Sequence, residues 1–151
     1  MTWIYNNDLV NEPPADAIGF IYVISNLIDG RRYIGKKILK FKKTSIKTVK
    51  LKNGEKRKKK IRSTVPSDWD TYYGSSEELK KDVETLGKEN FKREITKWCR
   101  TLSELTYYES REQFVTDCLL HPDKFYNAWI SCRTRRDHLL KYTQNESCVK
   151  I

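Results

Sequence analysis

The chain has 151 residues, thirty Lys or Arg against twenty Asp or Glu, and a formal net charge of +10. That length suits one domain with a real core, and four Trp, nine Tyr and five Phe argue against a disordered polycation. No run approaches the roughly 18 apolar residues of a membrane span, and the N-terminus lacks the basic start and apolar core of a signal peptide, so a cytoplasmic protein with no membrane partner is expected.

Residues 1–17 read as an N-terminal extension: Asn6, Asn7, Asn11, Pro13 and Pro14 argue against a long regular element, while Trp3, Ile4 and Tyr5 can pack back on the body. A domain is expected over 18–142, with 143–151 as a frayed tail. Gly19 to Lys37 predicts two strands and a turn. Phe20–Ile24 is apolar and β-branched or aromatic, Asn26–Gly30 supplies turn residues, and Arg32–Ile34 resumes the extended pattern until Gly35 ends it.

Residues 36–62 hold fourteen Lys or Arg and one acid, Glu55, whereas the rest of the chain holds sixteen bases and nineteen acids. The basicity is therefore an insertion on a slightly acidic body, which points to a polyphosphate partner, nucleic acid above all. Asn53-Gly54 between arms of about 45–52 and 55–62 predicts a basic β-hairpin. Lys43, Lys56, Arg57, Lys58, Lys59 and Lys60 are its candidate DNA contacts, positioning a phosphate backbone without reading sequence.

Residues 64–75 form a loop in which Trp69, Tyr72 and Tyr73 serve as core anchors or stacking surfaces. Ser75 or Ser76 caps a helix that runs to about Leu86, buries Leu79, Val83 and Leu86, and stops at Gly87. Phe91–Cys99 reads as a third strand, with Phe91 and Ile95 on one side and Trp98 on the other. Thr101-Leu-Ser-Glu104 is a capping box opening a helix to about Leu120, with Leu105, Tyr108, Val115 and Leu119 as its buried stripe and Glu109 and Glu112 at its margin. A basic helix over about 129–142 would add Arg133, Arg135 and Arg136 as phosphate contacts. Cys99, Cys118, Cys132 and Cys148 form no C-x-x-C pair, so reduced, mostly buried thiols are expected rather than zinc ligands.

The tripeptides Phe20-Ile21-Tyr22 and Tyr33-Ile34-Gly35, eleven residues apart from Tyr22 to Tyr33 and followed by Lys36, resemble the signature of the GIY-YIG nucleases. Phe20 replaces the first Gly. The order of elements over roughly 18–130 is similar too, and Phe125-Tyr126-Asn127 matches the family's Asn-bearing segment. The resemblance implies an α+β fold, a three-stranded antiparallel sheet flanked by helices, here with the basic hairpin inserted. It also implies a compact, phage-type or homing-endonuclease-like enzyme that hydrolyses DNA with one Mg²⁺ (or Mn²⁺) held by Glu109. Tyr22 would be the general base, its phenol lowered toward pH 8 by Lys36, with Tyr33 orienting water or phosphate and Asn127 the late structural or active-site Asn. The family's Arg lies on a helix after the second tripeptide, displaced here by the insertion. Arg62 is the expected substitute, Arg57 the second choice, and Lys43 holds the compact spacing without being Arg. Tyr22, Tyr33, Glu109 and one guanidinium should then converge on a phosphate-sized hollow. A monomer or transient dimer is expected. The competing readings are a non-catalytic nucleic-acid-binding protein on the same scaffold and a basic protein bound to RNA, which the residues do not exclude.

Overall fold

The computed structural model describes residues 2–136. Four strands come first: β1 (Ile4–Tyr5), β2 (Asp8–Leu9), β3 (Gly19–Asn26) and β4 (Arg32–Ile38). The long pair β5 (Lys40–Lys50) and β6 (Lys56–Pro66) follows, then helix α1 (Glu77–Leu86), β7 (Phe91–Cys99) and helix α2 (Leu102–Val115). The main sheet has five strands in the order β2-β1-β7-β3-β4, and β5-β6 form a separate two-stranded ribbon. The fold is α+β as expected, with a larger sheet. The added strands come from the N-terminal residues. Asn6 and Asn7 both take positive φ, 51° and 71°, a two-residue turn that Asn tolerates well. Ile4 then pairs in parallel with Glu94, and Trp3 is fully buried against Phe20 and Tyr22, at ring distances of 5.0 and 5.2 Å.

The β3–β4 register fixes which side chains share a face. Phe20, Tyr22 and Ile24 lie opposite Lys37, Gly35 and Tyr33, while Ile21 lies opposite Lys36. The first face is covered by α1 through Leu79 and Val83, and the second by α2 through Leu105. Phe20, at the place of the motif's first Gly, sits in a cage of Trp3, Trp69 and Trp98. β4 does not end at Gly35 but continues to Ile38. A Cβ on Gly35 would stand 2.5 Å from the Tyr22 hydroxyl oxygen and 2.9 Å from Tyr33 Cε1, so this position must be Gly for the tyrosine rings to lie across the strand.

Strand β7 has its expected bounds, but one detail differs. The register with β3 shifts between Ile21, opposite Lys97, and Tyr22, opposite Ile95, leaving Thr96 as a bulge. The extra residue reverses the alternation. Trp98 therefore joins Phe91 and Ile95 on the α1 face, 5.3 Å from the Phe20 ring, instead of facing away.

Ser76 caps α1 by accepting from the Leu79 N–H at 3.3 Å, and Gly87 (φ 90°) ends it. Thr101 caps α2, and Glu104 accepts from the Arg100 N–H at 2.6 Å. This helix stops at Val115, earlier than the pattern suggests, because Asp117 turns the chain with φ 48°. Val115 and Leu119 are exposed and the buried face carries Ser110 and Gln113 beside Leu105. The stripe is polar because it packs on a strand edge whose backbone needs partners. Trp69, Tyr72 and Tyr73 pack on the core, and the Trp3 indole N–H donates to Trp69 O at 2.6 Å. Cys99 and Cys118 are buried free thiols, with burial pushing Cys99 up to about 12; Cys132 is exposed, and Cys148 lies outside the described residues.

Residues 129–135 have no regular structure, so a helix from Trp129 is not formed there, and the remainder of that expected helix lies outside the described residues. The ribbon is longer than the sequence suggests. Gly54 (φ 84°) closes it, with Gly54 N–H donating to Leu51 O at 2.9 Å.

Candidate active site

Strand β4 is the last of the sheet, and the chain satisfies part of its open edge by other means. The Arg32 N–H donates to Lys124 O at 2.8 Å, and the Tyr126 N–H donates to Arg32 O at 2.9 Å. One step along, a side chain takes over from backbone. Asn127 Oδ1 accepts from the Ile34 N–H at 2.9 Å while its Nδ2 donates to Ile34 O at 2.7 Å. Gln113 Nε2 donates to the same carbonyl at 3.1 Å. Asn127 thus imitates a neighbouring strand for one residue, a structural role that satisfies buried backbone groups. Beyond Ile34 the edge opens into a groove of about 920 Å³ lined by Tyr33, Lys36, Glu109, Asn127, Trp129 and Arg133, with Ser75 and Ser76 at the mouth of α1.

The tyrosines reach this groove unequally. Tyr33 lines it, and its hydroxyl lies 2.8 Å from Ser75 Oγ. Tyr22 lies behind, fully buried, with its ring 6.2 Å from Tyr33 and 6.0 Å from Tyr72. Burial first, then the neighbouring Tyr72 and Tyr33 and a hydrogen bond with Tyr72, push the Tyr22 phenol well above its ordinary value. Tyr33 is raised as well, by burial first, with Ser75 opposing. A Tyr22 lowered toward pH 8 by Lys36 is therefore contradicted, and strand alternation is the reason. Lys36 points to the α2 face, where Nζ pairs with Glu109 Oε2 at 2.9 Å and approaches Thr106 Oγ1 at 3.3 Å. The cation on the tyrosine face is Lys37, 3.6 Å from the Tyr72 ring centre and 2.6 Å from Asp68 Oδ1. Residues 33, 35 and 37 share a face by the period of a strand, so Lys37 was readable from sequence.

Glu109 and the tyrosines rise from opposite faces of the sheet; Tyr33 meets Glu109 in the groove at the β4 edge, whereas Tyr22, expected to converge there too, stays buried behind it. Both phenols sense the Glu109 charge, and Tyr33, Lys36 and Glu109 line one groove. The arginine is different. Arg62 lies opposite Thr44 and Arg57 opposite Val49 on the exposed ribbon, with Lys43, Lys56, Lys58, Lys59 and Lys60. None of them lines the groove, whereas Arg133 does. Arg135 and Arg136 are exposed beside it in sequence. Trp129 is 72% exposed and also lines the groove; the sequence pattern gave it no role. A second depression of about 740 Å³ between β1–β2 and the start of α2 is lined by four acids, Asp8, Glu12, Asp16 and Glu104, against two bases, Lys97 and Arg100, a balance less favourable to an anionic ligand.

The family model “Putative endonuclease segE, GIY-YIG domain” matches residues 3–130. The chain belongs to the GIY-YIG nuclease family. No curated protein and no solved structure matches it. The GIY-YIG match takes in the N-terminal strands and the ribbon, and ends between Asn127 and Arg133. Membership makes nucleic acid the substrate class and phosphodiester hydrolysis the reaction class.

GIY-YIG nucleases generally use a divalent metal, and the groove's donors allow a test of fit. Among the described residues no three His, Cys, Asp or Glu side chains gather into a metal cage. Glu109 offers one carboxylate at the groove wall, its side chain 16% exposed. One carboxylate suits Mg²⁺, which keeps most of its water and takes the rest of its shell from substrate phosphate, and it does not suit Zn²⁺ or Ca²⁺. The residues fit a Mg²⁺ held by Glu109 alone.

Proposed function

We propose that this protein is a Mg²⁺-dependent (or Mn²⁺-dependent) DNA endonuclease whose catalytic site is the groove at the β4 edge. The observation that carries the reading is that Tyr33, Lys36, Glu109 and Arg133 line this one groove. Glu109 would hold the metal, which when bound would neutralise phosphate charge and favour loss of a water proton to the solvent of the open groove. Arg133 takes the place expected of Arg62: its guanidinium holds two oxygens of the scissile phosphate and offsets the charge that grows there. A phenol ordinarily holds its proton at neutral pH, and burial raises the Tyr33 phenol further. Tyr33 therefore acts through its neutral hydroxyl, orienting the attacking water or the phosphate. Tyr22, buried behind it, positions Tyr33 and Tyr72. Lys36 neutralises Glu109 and lines the groove, where its ammonium would be available to a phosphate if Glu109 held a metal. Trp129 offers an exposed face on which a base stacks. One groove cuts one strand per engagement, so a monomer nicks, and a cut through both strands requires a transient dimer or a second visit.

A second reading, a nucleic-acid-binding protein without cleavage, is favoured by one observation: the Lys36 ammonium sits on the carboxylate a metal would need. The test is supercoiled plasmid with Mg²⁺. Nicking by the wild type, lost in Glu109→Ala with DNA binding retained, supports the enzyme. Equal binding with no nicking by either protein supports the second reading.

A further inference from the structure

The ribbon has two unlike faces. Paired residues across an antiparallel ladder point the same way, and the register is unbroken from Lys40 opposite Pro66 to Lys50 opposite Lys56. One face therefore gathers Lys40, Lys42, Lys50, Lys56, Lys58, Lys60 and Arg62, seven bases with Ile46 and, at the root, Pro66 as its apolar side chains. The other gathers four bases, Lys43, Lys47, Arg57 and Lys59, with four apolar side chains, Phe41, Val49, Ile61 and Val65. Every one of these eleven bases is exposed. Asn53-Gly54-Glu55 places the stretch's one acid at the tip, where Glu55 is tied to Asn53 by a hydrogen bond of 3.2 Å to its Oε2.

We infer that the seven-base face is a docking surface for double-stranded DNA, set on the groove side of the duplex with its bases on the two flanking phosphate backbones. The inference rests on the proposed DNA substrate and adds to it which face binds and what form of nucleic acid it takes. Three arguments carry it. Eleven residues per strand span about 36 Å, close to one turn of B-DNA, about 34 Å. A two-stranded ribbon fits the major groove of B-DNA, about 12 Å wide, while the deep, narrow groove of A-form RNA does not admit it. Along β6 the bases Lys56, Lys58, Lys60 and Arg62 stand two residues apart, at about 6.8 Å intervals, which matches phosphates spaced along a backbone better than a folded partner's scattered acids; on β5 Lys40, Lys42 and Lys50 mark the two ends of the same face. On the mixed face, at the ribbon's root, the Phe41 ring centre lies 6.0 Å from Lys37 Nζ of the domain.

Two variants of equal charge test it. One carries Lys42→Ala, Lys58→Ala, Lys60→Ala and Arg62→Ala on the seven-base face. The other carries Lys43→Ala, Lys47→Ala, Arg57→Ala and Lys59→Ala on the mixed face. Binding to a 30-base-pair duplex is measured by anisotropy without metal, over a salt series. The first variant should bind at least tenfold more weakly than the second, and its log–log salt slope should be shallower by about 3.6, four phosphates at about 0.9 each. Equal losses would overturn the face assignment, since total charge alone would then decide. An RNA duplex bound as tightly as DNA, or no binding of duplex by the wild type, would overturn the DNA assignment. Plasmid nicking by the same proteins is the separate readout: if it persists while both variants bind equally, the docking face fails and the enzyme reading stands.

Discussion

The groove and the ribbon use charge in opposite ways. In the groove, Lys36 is paired with Glu109, Asn127 and Gln113 are both committed to the Ile34 backbone, and Tyr33 is held by Ser75. These groups have fixed partners, so this wall of the site is shaped before substrate arrives, while Arg133 and Trp129 stand exposed. The ribbon spreads eleven exposed bases along two strands, an arrangement that gains order only from a partner. Fixed partners suit a chemical step, which needs atoms placed within fractions of an ångström. Many similar, adaptable charges suit holding a polymer in any register. The split predicts that groove variants change the rate at saturating protein, and ribbon variants change only the concentration needed to saturate.

The largest effects should come from the groove. Tyr33→Phe and Arg133→Ala should each slow single-turnover cleavage on the order of 10²-fold or more, the usual loss for one transition-state contact, whereas Arg62→Ala should slow it little once protein saturates the DNA. Rapid-quench kinetics at two protein concentrations separates these outcomes; a dead Arg62→Ala at saturation would return the guanidinium to the ribbon. Next is Gly35→Ala. Its methyl would collide with both tyrosine rings, and overpacking of this kind costs about 1–3 kcal/mol, so the melting temperature should drop and cleavage with it. A normal melting temperature in this variant would mean that the rings do not cross the strand. Smaller again, Trp129→Ala should weaken single-stranded DNA binding by about 1 kcal/mol, the low end for one stacked base, without moving the melting temperature.

The pH dependence should be the smallest effect within the working range. The Tyr22 and Tyr33 phenols are raised above their ordinary value, so the folded state keeps those protons more strongly than the unfolded chain. Stability from this source is complete below about pH 10 and is lost as pH rises through the folded-state values. The melting temperature should therefore fall above pH 10, and Tyr22→Phe should flatten that fall. Cleavage between pH 7 and 9 should show no inflection that Tyr22→Phe removes; finding one would restore Tyr22 as a base.

Much of this was legible from residue order. The hairpin of β3 and β4, the stop of α1 at Gly87 and the bounds of β7 all follow local rules, and local rules rarely need knowledge of the rest of the chain. What could not be read depended on contacts between distant segments. One inserted residue at Thr96 moved Trp98 to the other face, and nothing in Phe91–Cys99 announces a bulge. The exposed Val115 and the buried Gln113 reverse the apolar stripe because α2 serves the Ile34 backbone. That Arg133 and not Arg62 lines the groove follows from where the chain returns after Asn127, a matter of tertiary placement. Lys37 in place of Lys36 beside the tyrosines was different: two-residue alternation was enough to find it.

The most direct measurement compares single-turnover plasmid nicking, with Mg²⁺ and protein in large excess, for the wild type, Glu109→Ala and the four-fold variant of the seven-base face. Recovery of the wild-type rate by the ribbon variant, with none from Glu109→Ala at any concentration, is the predicted result. A Glu109→Ala protein that nicks as fast as wild type, or a ribbon variant that stays inactive when fully bound, would contradict the division of labour between groove and ribbon.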